Sequence, residues 1–431
     1  MKNFIDCHCH IFNLIDIPLY ASINGSLNVN VIKKLELTFL GIFVEGIGKL
    51  DDFVESKENF IRFFERDLRD TIIRFDKHLL ETVTEKDSEI LITPLIMDFD
   101  CISGIETNSL GMSNLELQTK RLVEAIKITD TKIKICPFIG YDLRKLILKK
   151  DSKNKKYLED SYLSKNESAK ELEKFKKLYE TYSSKSEKRT IKELEKGEIL
   201  GIKLYPPIGF NPYPKDKIKR ESYMEFYKWC ISEDIPITVH CQKGSYGADN
   251  QKKVINNFTN PINWLNLFEQ NPELHNLRIN FAHFGGEDGV EDMIESWYEN
   301  PFKKVDKNSW TYTIIQLLKN YENTYSDLAA YSYGKGKIIK HFDNYSKNLS
   351  KVFEYDEEKK FGDGKYKLKD KLLWGSDVPM IISDKSYGNK YSTYYRNFEK
   401  AINICDFTSD EKQKIIDNMT DKNPKKFLKL K

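Results

Sequence analysis

The stretch Phe4-Ile5-Asp6-Cys7-His8-Cys9-His10 decides how the rest of the chain is read. An apolar, β-branched opening followed by polar residues reads as a strand that delivers its polar end to a site. In a flat strand side chains alternate, so Asp6, His8 and His10 are expected on one face and Cys7 and Cys9 on the other. Two imidazoles on one face can grip one metal ion. Otherwise, two polar rings set into an apolar strand each need a hydrogen-bonding partner.

Working outward, further short runs rich in Ile, Val and Phe lie at residues 90–99, 132–141, 199–205, 237–241, 277–283, 323–329 and 371–377. Charged, helix-compatible stretches separate them, the alternation of parallel strands with helical crossovers. With residues 4–10 included, the expectation is an α/β protein, a distorted (β/α)8 TIM barrel with helical insertions. Residues 1–431 are read as one domain, with insertions near 11–88, 149–196 and 331–370. Apolar residues at helical spacing predict a long helix over 51–84. The Lys/Glu/Ser-rich segment 149–196 holds too little apolar surface for a core of its own, and is expected to form one or two solvent-exposed helices.

Composition narrows the function classes. The 431 residues carry 69 Lys+Arg against 66 Asp+Glu, and the resulting +3 gives no electrostatic reason to expect nucleic acid or an anionic membrane. No apolar run approaches the roughly 20 residues of a membrane span, and MKNFIDCHCH places Asp and His where a secretory signal has its apolar region. A cytoplasmic protein is expected. The seven scattered cysteines lack zinc-finger spacing and are read as reduced and mostly buried.

Four of the seven histidines fall at or near the ends of the proposed strands: His8, His10, His240 in PITVHC, and His283 in RINFAHFGG. Asp377 follows the last strand in LLWGSDVPM. In a (β/α)8 barrel, active sites are built at the C-terminal ends of the strands. All five residues are therefore expected on one rim, although Asp377 standing alone would also suit a helix cap. Arg144, after the third strand, is a candidate for bidentate carboxylate binding or for an ion pair. Tyr205, which follows Lys203 by two positions and shares its strand face, is a further candidate for binding the substrate. The loop 242–250 is a candidate lid. Cys241 is read as turned away from His240 into the helix layer, not as a nucleophile.

Together, Asp6-Cys7-His8-Cys9-His10, Gly201-Ile202-Lys203-Leu204-Tyr205-Pro206, Val239-His240, Ala282-His283-Phe284-Gly285-Gly286 and Trp374-Gly375-Ser376-Asp377 resemble the metal-dependent amidohydrolase superfamily. The likeness is to its amidohydrolase-related branch, which contains hydrolases, lactonases and nonoxidative decarboxylases such as aminocarboxymuconate-semialdehyde decarboxylase. Residues 418–427 also resemble that branch's closing helix; the insertions lie outside the likeness. The resemblance implies His8, His10, His240 and Asp377 as metal ligands and His283 as a polarising or acid/base residue. It leaves Lys203 as either a carboxylated bridge between two ions or a plain cation for a substrate carboxylate, the second being favoured.

Imidazoles plus one carboxylate suit a single divalent ion, Zn²⁺ ahead of Mn²⁺ or Fe²⁺. Asp377 is then the expected proton acceptor, and Asp6 is expected to orient a ligand. The expected activity is hydrolysis of a C–N or C–O bond in a small carboxylate-bearing molecule, with nonoxidative decarboxylation as the alternative. A TatD-type deoxyribonuclease also begins Asp-x-His-x-His, but it ends its last strand differently and would need a basic footprint. A non-catalytic scaffold would be expected to have lost a ligand. No nucleic-acid or membrane partner is expected, and a homodimer is the base-rate assembly.

Overall fold

The computed structural model describes residues 3–13, 67–83, 88–103, 114–151, 157–184, 189–243, 252–286, 290, 293, 307–331, 342–383 and 390–431. Each stretch read as a strand contains one, trimmed to where a neighbour continues the hydrogen bonding. They are β1 (Phe4–Cys9), β2 (Ile90–Pro94), β3 (Lys134–Ile135), β4 (Phe138–Gly140), β7 (Gly201–Leu204), β8 (Ile237–His240), β9 (Ile279–Ala282), β10 (Thr324–Asp327) and β11 (Leu372–Leu373). The third stretch yields two short strands because Pro137 interrupts it, having no N–H to donate.

All pairings among these strands are parallel. One sheet runs β1-β2-β3 and another runs β11-β10-β9-β8-β7-β4. A single parallel bridge, Leu95 to Phe138, joins β2's continuation to β4. At the other edge the Cys7 amide donates to the Trp374 carbonyl at 3.0 Å, and the Ser376 and Asp377 amides donate to the His8 carbonyl at 3.0 and 2.7 Å. The first strand is thus tied to the chain that leaves the last.

Helices with buried apolar faces line the crossovers, among them Leu68–Thr82, Asn114–Ile128, Lys217–Ser232, Trp310–Asn320 and Tyr391–Asn403. Alternate strand residues such as Ile92, Ile139, Ile202, Val239 and Phe281 join these helices in one large apolar cluster. The opposite set, including Ile5, Leu91, Phe138, Tyr325 and Leu373, forms a second cluster closed by Phe427 and Leu428. None of the described helices is long and apolar enough to cross a membrane.

Segment 149–196 departs from expectation. It contains the helix Lys165–Tyr182, but an antiparallel hairpin precedes it, β5 (Leu148–Lys150) with β6 (Tyr157–Tyr162). The helix is not merely a solvated face either, because Phe175 stacks on Tyr141 with ring centroids 3.8 Å apart. The helix expected over 51–84 is present as Leu68–Thr82, and residues 51–66 lie outside the described residues. Most of the candidate lid, residues 244–250, lies outside them as well.

Candidate metal centre

The alternation expected for the opening strand fails at the functional end. Pairing of β1 with β2 shifts register between Asp6 and Cys9, and the Asp6 carboxylate accepts the His8 amide at 3.0 Å. That irregularity places Cys7 in one apolar cluster and Cys9 in the other, so the two cysteines do not share a face. It adds the extra residue of a β-bulge, which re-aims side chains. Asp6 does not join the imidazoles. Its carboxylate also accepts the Ser376 amide at 3.1 Å and the Tyr391 hydroxyl at 2.9 Å, pinning the approach to Asp377 against β1. Burial pushes Asp6 up to about 6, against these hydrogen bonds.

Beyond the bulge the four strand-end histidines form a row. Ring centroids are 5.4 Å apart for His10 and His8, 4.6 Å for His8 and His283, and 4.6 Å for His283 and His240. Tyr205 packs edge-on to His240 at 4.9 Å. Asp377 meets the row where its Oδ1 lies 3.4 Å from His8 Nε2 and 3.2 Å from His10 Nε2. Both turning points are strained: Asp377 has φ 58°, and His283 and Phe284 have φ 66° and 50°, left-handed values rare for residues with a Cβ. Gly375 is required by crowding, since a Cβ there would lie 2.8 Å from the His8 Cβ.

Hydrogen-bond partners set the ring tautomers. A carbonyl or an ionised carboxylate can only accept, so His10 donates through Nδ1 to the Leu95 carbonyl and His8 through Nδ1 to Asp327, each at 3.0 Å. In the neutral rings both Nε2 lone pairs then point toward Asp377. His283 donates through Nδ1 to the Ala329 carbonyl at 2.9 Å, leaving its Nε2 to accept from His240 Nδ1 at 3.1 Å. The His240 lone pair is thereby placed on Nε2. Both His283 nitrogens are engaged, so an acid/base role for this ring requires His240 to release it.

Electrostatics reinforce the pattern. Burial pushes His8 down, pushes His283 down to about 4, and pushes His240 well down with help from the neighbouring His283 and Lys203. Burial acts on Asp377 in the opposite sense, yet its neighbours His10, His8 and His283 hold it at about 2. Neutral imidazoles beside a carboxylate are the protonation states that ligate a cation. Among the described residues, two groups have ligand atoms within 4.8 Å of one another: His8, His10 and Asp377, and His8, His283 and Asp327. His240 belongs to neither and adjoins them through His283.

Lys203 is 2% exposed, and its Nζ has no hydrogen-bond partner among the described residues. Burial lowers its pKa from 10.5 to about 8, with Asp327 and Asp377 pulling it back. Its Nζ lies 6.0 Å from the Tyr205 ring centroid. Arg144 is clasped by Asp142, with Nη2 to Oδ2 at 2.6 Å and Nε 3.1 Å from each oxygen. It belongs to a buried charge cluster that includes Lys145, 2.7 Å from both Asp98 and Asp100.

Sequence reasoning missed Asp327, which is fully buried and bonded to His8. The signal is the one that selects Asp377, a carboxylate at the end of an apolar strand, since Asp327 ends the strand within 323–329.

No family model matches this chain, and no curated protein does. Similar solved structures are an IDCase from Metarhizium anisopliae, at 11% identity and TM-score 0.46 over 99% of this chain and 97% of that one. A 4-oxalomesaconate hydratase from Rhodopseudomonas palustris follows at 14% and 0.43, over 99% and 95%. An amidohydrolase from Burkholderia multivorans with bound zinc is at 10% and 0.42, over 100% of both chains. With TM-scores below 0.5, nothing in the site rests on these likenesses.

Proposed function

We propose that this chain is a metal-dependent hydrolase that cleaves a C–N or C–O bond in a small carboxylate-bearing molecule. Its frame would be one domain, a (β/α)8 barrel closed where the chain after β11 bonds to β1, with the extra length in helical insertions. The observation that carries the reading is the convergence of His8 Nε2, His10 Nε2 and Asp377 Oδ1. Asp377 Oδ1 lies 3.4 Å from His8 Nε2 and 3.2 Å from His10 Nε2, and with both rings protonated on Nδ1 these acceptor atoms face one another, an arrangement that a cation among them would stabilise. His240 would complete the set through Nε2, and nitrogen ligands with one carboxylate favour zinc.

When bound, such an ion supplies Lewis acidity beside the reacting bond. The rest falls to the chain. Asp377, ionised and adjoining two imidazoles, is placed to accept a proton and return it to the leaving group. Lys203, a buried ammonium with no hydrogen-bond partner among the described residues, would hold the substrate carboxylate, and Tyr205 would form the adjoining wall. Arg144 could assist only by sharing Asp142.

Metal analysis of wild type, His8→Ala and Asp377→Ala tests the centre. Wild type should retain about one equivalent of zinc after dialysis and both variants should lose most of it; unchanged content in both would sink the proposal. Product analysis on ester, amide, lactone and carboxylic-acid panels tests the reaction. Oxygen from labelled water should enter the product, whereas carbon dioxide release without it would replace hydrolysis by decarboxylation.

A further inference from the structure

We propose that Asp327 is a positioning residue that fixes the His8 tautomer and holds the His283 turn, without itself binding the metal. This rests on the metal reading of the site. The carboxylate lies at the end of β10 and joins three elements. Its Oδ2 accepts from His8 Nδ1 at 3.0 Å and from Asn280 Nδ2 at 2.7 Å. Its Oδ1 accepts the backbone amides of His283 and Ala329, each at 3.0 Å.

A carboxylate offers about four lone-pair positions. All four are occupied by these donors, so none is left for an ion, even though Asp327 groups with His8 and His283 at ligand spacing. What Asp327 does instead is chemical. It holds the His8 proton on Nδ1, so Nε2 keeps its lone pair toward Asp377 and His10. A carboxylate behind a ligating histidine orients the ring and raises its basicity. The second oxygen satisfies the amide of His283, whose left-handed φ of 66° is sustained only if the surroundings hold it.

Asp327→Asn isolates the effect because it preserves shape. The new amide oxygen must stay on the two backbone amides, which only donate. The new NH2 then faces His8 Nδ1 and Asn280. Asn280 can adapt by flipping, since its Oδ1 has no partner among the described residues. His8 cannot, and must accept at Nδ1 and carry its proton on Nε2, where the proton blocks the metal-facing lone pair.

The experiment uses the full chain with ¹⁵N-labelled histidine and zinc as the probe. In metal-free wild type, long-range ¹H–¹⁵N spectra should place the His8 proton on Nδ1, with the resonance assigned by its loss in His8→Gln. In Asp327→Asn it should move to Nε2. Zinc affinity, by competition with a chromophoric chelator, should fall by about ten- to hundredfold while stoichiometry and thermal unfolding stay near wild type. Asn280→Ala, which leaves the His8 bond in place, should keep the wild-type tautomer. The claim is overturned if wild-type His8 is protonated on Nε2, if Asp327→Asn binds zinc within twofold of wild type, or if it lowers stoichiometry from two ions to one. Wild type that binds no zinc would instead overturn the metal reading, and the metal-free spectrum separates the two failures.

Discussion

Replacing Lys203 by methionine should make the metal-free protein more stable. The ammonium is buried without an acceptor among the described residues, and burial lowers its pKa from 10.5 to about 8 despite the opposing charges of Asp327 and Asp377. By linkage, keeping that proton in the folded state at pH 7 costs about 3 kcal/mol relative to the unfolded chain. Between pH 8 and 10.5 the folded protein has lost the proton while the unfolded chain still holds it. Wild-type stability contributed by this group therefore rises with pH across that window and levels off above it. Methionine, similar in length and uncharged, carries no such dependence. Its advantage should be greatest below pH 8 and fade by pH 10.5. Urea unfolding in the presence of a chelator, repeated from pH 6.5 to 10.5, measures this directly, with a shift in midpoint at constant m-value as the readout. With zinc restored, the same variant should raise KM for a carboxylate-bearing substrate by at least tenfold. A variant less stable than wild type at pH 7, or a stability gap that does not change with pH, would refute the view of Lys203 as an ammonium kept unpaired for a ligand.

Three further outcomes are expected. Gly375→Ala inserts a methyl 2.8 Å from the His8 Cβ and 3.1 Å from the Ala329 Cβ, and should destabilise by about 1–3 kcal/mol in urea while weakening zinc binding. Lys145→Met leaves Asp98 and Asp100 buried without their cation; a loss of about 3–5 kcal/mol at pH 7 is expected, partly recovered at pH 5 as Asp98, which burial pushes up to about 6, protonates. Six of the seven cysteines are buried and only Cys101 is partly exposed, so a thiol reagent should react slowly with native protein and with all seven after unfolding.

The opening motif was legible because strand chemistry is local. An apolar run ending in His or Asp states where the strand stops and what it delivers, and His8, His10, His240, His283 and Asp377 do gather in one cluster. Three features were hidden for physical reasons. The bulge at Asp6–Cys9 depends on Asp6 finding the Ser376 amide, a contact made across the molecule that a flat-strand rule does not contain. The hairpin β5–β6 is written in Leu148-Lys149-Lys150 and Tyr157 to Tyr162, where charge masks the alternation and pairing supplies the strand. Asp327 lacked a motif because its work is to receive hydrogen bonds from distant segments, from His8, Asn280 and His283, and that convergence exists only in the fold.

The bonds between His8 and the Ser376-Asp377 segment also set an order of events during synthesis. Ser376 lies 368 positions from His8, so the histidines that open the chain leave the ribosome long before the carboxylate that completes their site. At about 5–20 residues per second, the interval is roughly 20–70 s. During that time His8 and His10 can meet a metal ion only as a two-nitrogen site, with neither the Asp377 oxygen nor the Asp327 brace in place. On the proposed metal reading, selection of the ion would be deferred until the last strand docks, and a chain interrupted before residue 377 would be released without a finished centre.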